Sequence, residues 1–93
     1  MTSEHQSVGG HVVDGDEEIA NVAGDVTVTP LSNAFVRGTV EGDLIVEGSG
    51  VAEVFGVIRG QARIKAHGLL TIHRGGLIQG ELVVANGGRV ERL

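Results

Sequence analysis

The chain has 93 residues, 41% hydrophobic, with 16 glycines, one proline, no cysteine and a formal net charge of −5. That length suits one small domain, the lack of cysteine excludes a disulfide framework and thiolate chemistry, and no apolar run approaches the ~18 residues that span a bilayer. Residues 1–36 carry Glu4, Asp14, Asp16, Glu17, Glu18 and Asp25 and no Lys or Arg, so nucleic acid, which needs a positive track, is excluded as an expected partner.

Residues 1–9 are expected to be disordered, and Met1 to Gly10 is too polar for a signal peptide, so a cytoplasmic protein is expected. Residues 1–18 read as an acidic N-terminal segment or cap. Within it Asp14-Gly15-Asp16-Glu17-Glu18 reads as a charged loop, and Gly10-His11-Val12-Val13 with Ile19 as an irregular first coil.

From Val22 onward a six-residue beat sets in: Val22, Val28, Ala34, Val40, Val46, Ala52, Ile58, Ile64, Leu70. It slips by two residues and resumes at Ile72, Ile78, Val84 and Val90. An 18-residue repeat overlies it, marked by Val22-Ala23-Gly24, Val40-Glu41-Gly42, Ile58-Arg59-Gly60 and Ile78-Gln79-Gly80. Three sixes describe a three-sided coil with one short strand per side, and units this short stack because none buries its apolar face alone. The expected fold is all-β: a single-domain parallel β-helix (β-solenoid) over residues 19–93, with about four triangular coils of 18–20 residues.

Stacking the repeats gives inward columns. One holds Val26, Leu44, Ala62 and Leu82, another Val28, Val46, Ile64 and Val84, and a third Ala34, Ala52, Ile72 and Val90. Alternation at period two inside each repeat is the strand signal. Gly38, Gly56 and Gly76 sit where corners need tight turns or positive φ. Glu41 falls one coil from Arg59 and Glu47 one coil from Lys65, so opposite charges face each other across strands. The third coil is two residues longer, and His67-Gly68-Leu69-Leu70-Thr71 is the expected place for the enlargement.

Two groups of residues are candidate sites. Phe35, Val51, Phe55, Val57, Leu69 and Leu77 fall on outward positions near one side, an apolar patch suited to a protein interface or to a folded-back N-terminal segment. The end charges are the second group: Asp14, Asp16, Glu17 and Glu18 at one end, Arg89 and Arg92 at the other. Opposite ends attract in an open head-to-tail stack; the competing reading is an acidic cap that repels other strand edges.

No catalytic, cofactor or metal site is expected. His67 and His73 lack a third ligand at zinc spacing, and Asp14-Gly15-Asp16 lacks the rest of a calcium-loop ligand series. No helix follows the Gly-x-Val-x-Gly segments, so they are not nucleotide fingerprints. The hexad period is shared with left-handed β-helix acyltransferases, but the glycine two residues after each guide residue and the few coils argue against that class.

The phrase from Val40 to Val46, echoed by Val22 to Val28 and Ile78 to Val84, resembles bactofilins, bacterial polymer-forming cytoskeletal proteins with a right-handed parallel β-helix core. The resemblance covers about residues 19–93. It implies a right-handed coil, in keeping with the general preference of parallel crossovers, and a non-enzymatic, nucleotide-free protein that assembles end to end. A different class also fits the acidic surface: a small immunity or inhibitor protein that binds and neutralises a toxin partner.

Overall fold

A computed structural model of the chain describes residues 10–93, so the disorder expected for residues 1–9 lies outside the described residues. Among the described residues thirteen short strands follow one another without a helix. They are β1 (His11–Val13), β2 (Asp16–Ile19), β3 (Val26–Val28), β4 (Asn33–Val36), β5 (Thr39–Val40), β6 (Leu44–Val46) and β7 (Val51–Val54). The remainder are β8 (Val57–Ile58), β9 (Ala62–Ile64), β10 (Leu69–Ile72), β11 (Leu77–Ile78), β12 (Leu82–Val84) and β13 (Arg89–Arg92).

The strands form three parallel sheets. The first is β1-β3-β6-β9-β12, the second β2-β4-β7-β10-β13, and the third β5-β8-β11, which a Val22–Val40 bridge extends into the first coil. The first two sheets each take one strand from every coil and the third takes one from each of the three middle coils, which makes the described residues a β-solenoid of five turns, one more than expected. The extra turn comes from residues 11–19. β1 pairs with β3 and β2 with β4 in the same parallel sense as every later coil. Asp16, Glu17 and Glu18 therefore lie in a strand and not in a loop, and a division after residue 18 would cut β2.

Seventeen apolar side chains form the buried core, from Val13 to Ile72, with Ile78, Leu82 and Val90 packed against its end. Most are β-branched, which suits a pleated surface packed on one side. Neighbouring columns exchange bulk. Leu44 shares a coil with Ala52, and Ala62 shares the next with Leu70, so each coil holds one large and one small residue at these positions. A close-packed interior demands this constancy of volume.

Coil length is 18 residues from Val28 to Val46 and again to Ile64, then 20 from Ile64 to Val84. The two additional residues are not at His67–Thr71. Leu70 pairs with Ala52 and Val90, and Ile72 with Val54, so β10 keeps phase with its neighbours. The enlargement falls after it: the corner His73-Arg74-Gly75-Gly76 replaces the two-residue corners Phe55-Gly56 and Arg37-Gly38, with Gly75 at φ 84°. The expected column Ala34, Ala52, Ile72, Val90 is corrected to Ala34, Ala52, Leu70, Val90, with Val36, Val54 and Ile72 beside it.

Corner glycines are required by close stacking. A Cβ on Gly38 or Gly56 would collide with a backbone carbonyl of the preceding coil, although neither residue has positive φ. Four of the left-handed positions form a different column, one coil apart: Leu31 (φ 64°), Ser49 (φ 66°), His67 (φ 66°) and Gly87 (φ 84°). Each is the third residue of a turn closed from the first carbonyl to the fourth amide, as in Ser32 N–H to Thr29 O at 3.1 Å. Aspartates tie other corners together, with Asp25 Oδ1 accepting from Asp43 N–H and Asp43 Oδ1 from Gln61 N–H, both at 2.8 Å. The Glu41–Arg59 pair forms at 3.6 Å. Among the described residues no ion pair joins Glu47 to Lys65.

Candidate functional site

A solenoid has two ends and its lateral faces, and the candidate residues fall on all of them. At the N-terminal end His11 and Glu17 occupy inward columns: His11 stacks on Val26, and Glu17 on Ala34. Two ionisable side chains thus stand where every later coil carries an apolar one. They meet across the mouth, with His11 Nε2 2.5 Å from Glu17 Oε2. Beneath them Val13, Ile19 and Val22 are 0–7% exposed. A shallow hollow of about 140 Å³ remains beside the pair, bounded by Glu18 and the Ala20–Val22 corner.

The neighbouring acids are engaged within the chain. Asp16 Oδ1 accepts from Asn33 Nδ2 at 3.0 Å, and Glu18 lies 3.6 Å from Arg37 Nε. Asp14 is exposed at the turn before β2. Of the four acids expected at this end, three hold the first coil to itself or to the second.

The C-terminal end is built differently. Its inward positions carry Leu82, Val84, Val90 and, at the column of Ile72, Arg92. Nothing among the described residues covers them: Val84 is 41% exposed, and Leu82 and Val90 are only partly buried. Arg89 and Glu91 project outward from β13, 4.0 Å apart. The expected end charges are therefore at opposite ends of the stack, but the acidic end is closed by its own contacts and the basic end is apolar at its centre.

The expected apolar side is divided. Phe35, Val51 and Leu69 lie on the outer face of the second sheet, where Val51 pairs with Leu69 and Phe35 with Glu53. Val57 and Leu77 pair with each other on the third sheet, round the corner. Phe55 occupies that corner and is already covered on both faces. Its ring stacks on His73 at 4.0 Å and 11°, and the Arg37 guanidinium carbon lies 4.6 Å from its centroid. His73 Nε2 is in turn 2.8 Å from Glu53 Oε1. Such stacks of cation on ring on ring stabilise an exposed edge by about 1 kcal/mol in all.

Arg37, Phe55 and His73 are spaced 18 residues apart, so the repeat itself held the signal for this ladder. His11 had no such signal, since a histidine in a polar segment reads as solvated. Among the described residues no group of three or more His, Cys, Asp or Glu side chains is placed to hold a metal ion, and no helix is long and apolar enough to cross a membrane. No protein-family model, no curated protein sequence and no solved structure matches the chain.

Proposed function

We propose that this chain is a non-enzymatic scaffold, cytoplasmic and resembling bactofilins, that works by associating with copies of itself through a solenoid end. The observation that carries this reading is the C-terminal end. There, among the described residues, Leu82, Val84 and Val90 stay partly exposed at positions that the next coil covers elsewhere in the stack. Open edges of this kind template further pairing unless they are blocked, and solenoids use covering units to stop it. No cofactor is part of the proposed function.

Light scattering of the purified chain over a wide concentration range, with electron microscopy of the densest sample, tests the reading. Growth of mass with concentration supports it. A strict monomer at millimolar concentration overturns it. The immunity-protein reading draws less support, because Asp16, Glu17 and Glu18 of the acidic patch are occupied within the chain.

A further inference from the structure

We infer that Asn86-Gly87 is a site of covalent self-modification. There the Asn86 side chain closes onto the Gly87 nitrogen, loses ammonia and reopens as aspartate or isoaspartate, with His67 as the base. The reaction does not depend on self-association. Asparagine is thermally labile because its amide carbon is open to attack by the next residue's backbone nitrogen. A glycine at that next position has no side chain to hinder the approach. The chain has three asparagines, and Asn86 is the one followed by glycine.

Local contacts separate Asn86 from the other two. Asn21 Oδ1 accepts from Thr39 N–H at 2.8 Å, and the nitrogen that would attack it, Val22 N–H, donates to Thr39 O at 3.0 Å. Asn33 Nδ2 donates to Asp16 Oδ1 at 3.0 Å, and the following Ala34 is fully buried in β4. Asn86 is exposed, and among the described residues neither its side chain nor Gly87 N–H has a hydrogen-bond partner. Asp14-Gly15, the one Asp-Gly pair and equally able to form such a ring, is held: Gly15 N–H donates to Ser32 Oγ at 2.8 Å.

The corner can also turn. Ala85 N–H and Arg89 N–H anchor its two ends to Ile64 O and Gly68 O of the coil below, at 2.8 and 2.9 Å. Between them one turn bond, Gly88 N–H to Ala85 O at 2.9 Å, closes the loop, with Gly87 at φ 84°. Rotation at Asn86 brings its carboxamide onto the Gly87 nitrogen, and such an opening costs little at an exposed corner of a terminal coil. His67 occupies the same corner one coil down. Its Cε1 and Nδ1 lie 3.4 Å from the place that a Cβ on Gly87 would take. An imidazole therefore stands beside the reacting amide, suited to take its proton as the ring forms.

A bond forms from Gly87 N to Asn86 Cγ as the bond from Cγ to Nδ2 breaks. The Gly87 proton passes through His67 to the departing nitrogen, which leaves as ammonia. Water then opens the cyclic imide: attack at Cγ gives aspartate, and attack at the main-chain carbonyl gives isoaspartate. Nothing is oxidised or reduced, and each product gains one carboxylate. Isoaspartate carries the chain through the side-chain carbon and lengthens the corner between β12 and β13. The modified chain is expected to lose order first in that last coil.

Peptide mapping by mass spectrometry tests this on the whole chain, incubated warm at neutral pH beside a sample unfolded in urea. Two peptides carrying residue 86 as an acid, equal in mass and separable, are expected to accumulate about tenfold faster than any acid form of Asn21 or Asn33. Asn86→Gln is expected to abolish both peptides and keep the wild-type melting curve, since the side chain is exposed. His67→Gly suits the left-handed backbone at that position. It is expected to slow the conversion about threefold, and added imidazole to restore it. Asn86 remaining an amide in the folded chain while it converts in urea would overturn the inference. Conversion as fast in His67→Gly as in the wild type would overturn the role of His67.

Discussion

His11 Nε2 lies 2.5 Å from Glu17 Oε2, and both side chains stand in columns that hold only apolar residues in the coils below. The pair acts as a lid. A ring N–H donated to a carboxylate satisfies both groups while they shield Val13, Ile19 and Val22 from water. Replacing the lid by apolar residues, His11→Val with Glu17→Leu, would give the chain a second adhesive end. Species larger than those of the wild type are the expected outcome, read by light scattering; an unchanged mass distribution would show that the lid does not limit assembly. His11→Ala alone is expected to cost about 1 kcal/mol, since the pair is partly exposed, seen as a lower denaturation midpoint.

The corner His73-Arg74-Gly75-Gly76 carries the two additional residues of the longer coil. Deleting Arg74 and Gly75 leaves His73-Gly76, the form of Phe55-Gly56 and Arg37-Gly38. The shortened chain is expected to fold, with its melting temperature within several degrees of wild type. Deleting Gly68 and Leu69 instead would pull β10 out of phase with β7 and is expected to abolish cooperative melting. If the second deletion were tolerated and the first were not, the enlargement would lie where the hexad beat alone places it.

This misplacement shows what the sequence could and could not reveal. The beat marks inward positions well wherever strands alternate, as at Val26 and Val28 or Leu44 and Val46. In β10, Leu70, Thr71 and Ile72 are all buried, so alternation vanishes where the phase has to be read. Leu70 and Ile72 then fit the column after Ala52 equally well by hydrophobicity. The closed N-terminal mouth was hidden for a related reason. Charged residues ordinarily mark solvated loops, and at a solenoid end they serve to cover a core.

Leu31 is 83% exposed and holds φ 64°, a conformation that costs a branched side chain on the order of 1 kcal/mol. Gly87 occupies the equivalent corner three coils on. Leu31→Gly is expected to stabilise the domain by about 0.5–1 kcal/mol, raising the melting temperature by a few degrees at this size. A fall in melting temperature would mean that the Leu31 side chain contributes packing that its exposure conceals.

Bulk at Leu44 and Ala52 is balanced within one coil. Leu44→Ala is expected to cost about 2–5 kcal/mol by opening a cavity, and Ala52→Leu about 1–3 kcal/mol by overpacking. Combined, they are expected to cost less than the sum of the two, measured by urea denaturation. Strict additivity would show that the two positions do not share one volume. Val46→Asp, at a fully buried position, is expected to unfold the chain outright, since it buries an unpaired charge.

The central claim is that one end of this solenoid is closed and the other is adhesive. Amide hydrogen exchange followed by mass spectrometry at low and high protein concentration reads both ends at once. The predicted result is slower exchange with rising concentration in Leu82–Val84 and Arg89–Arg92, and unchanged exchange in His11–Val13 and Asp16–Ile19. Concentration-dependent protection at the first coil, or at neither end, would contradict it.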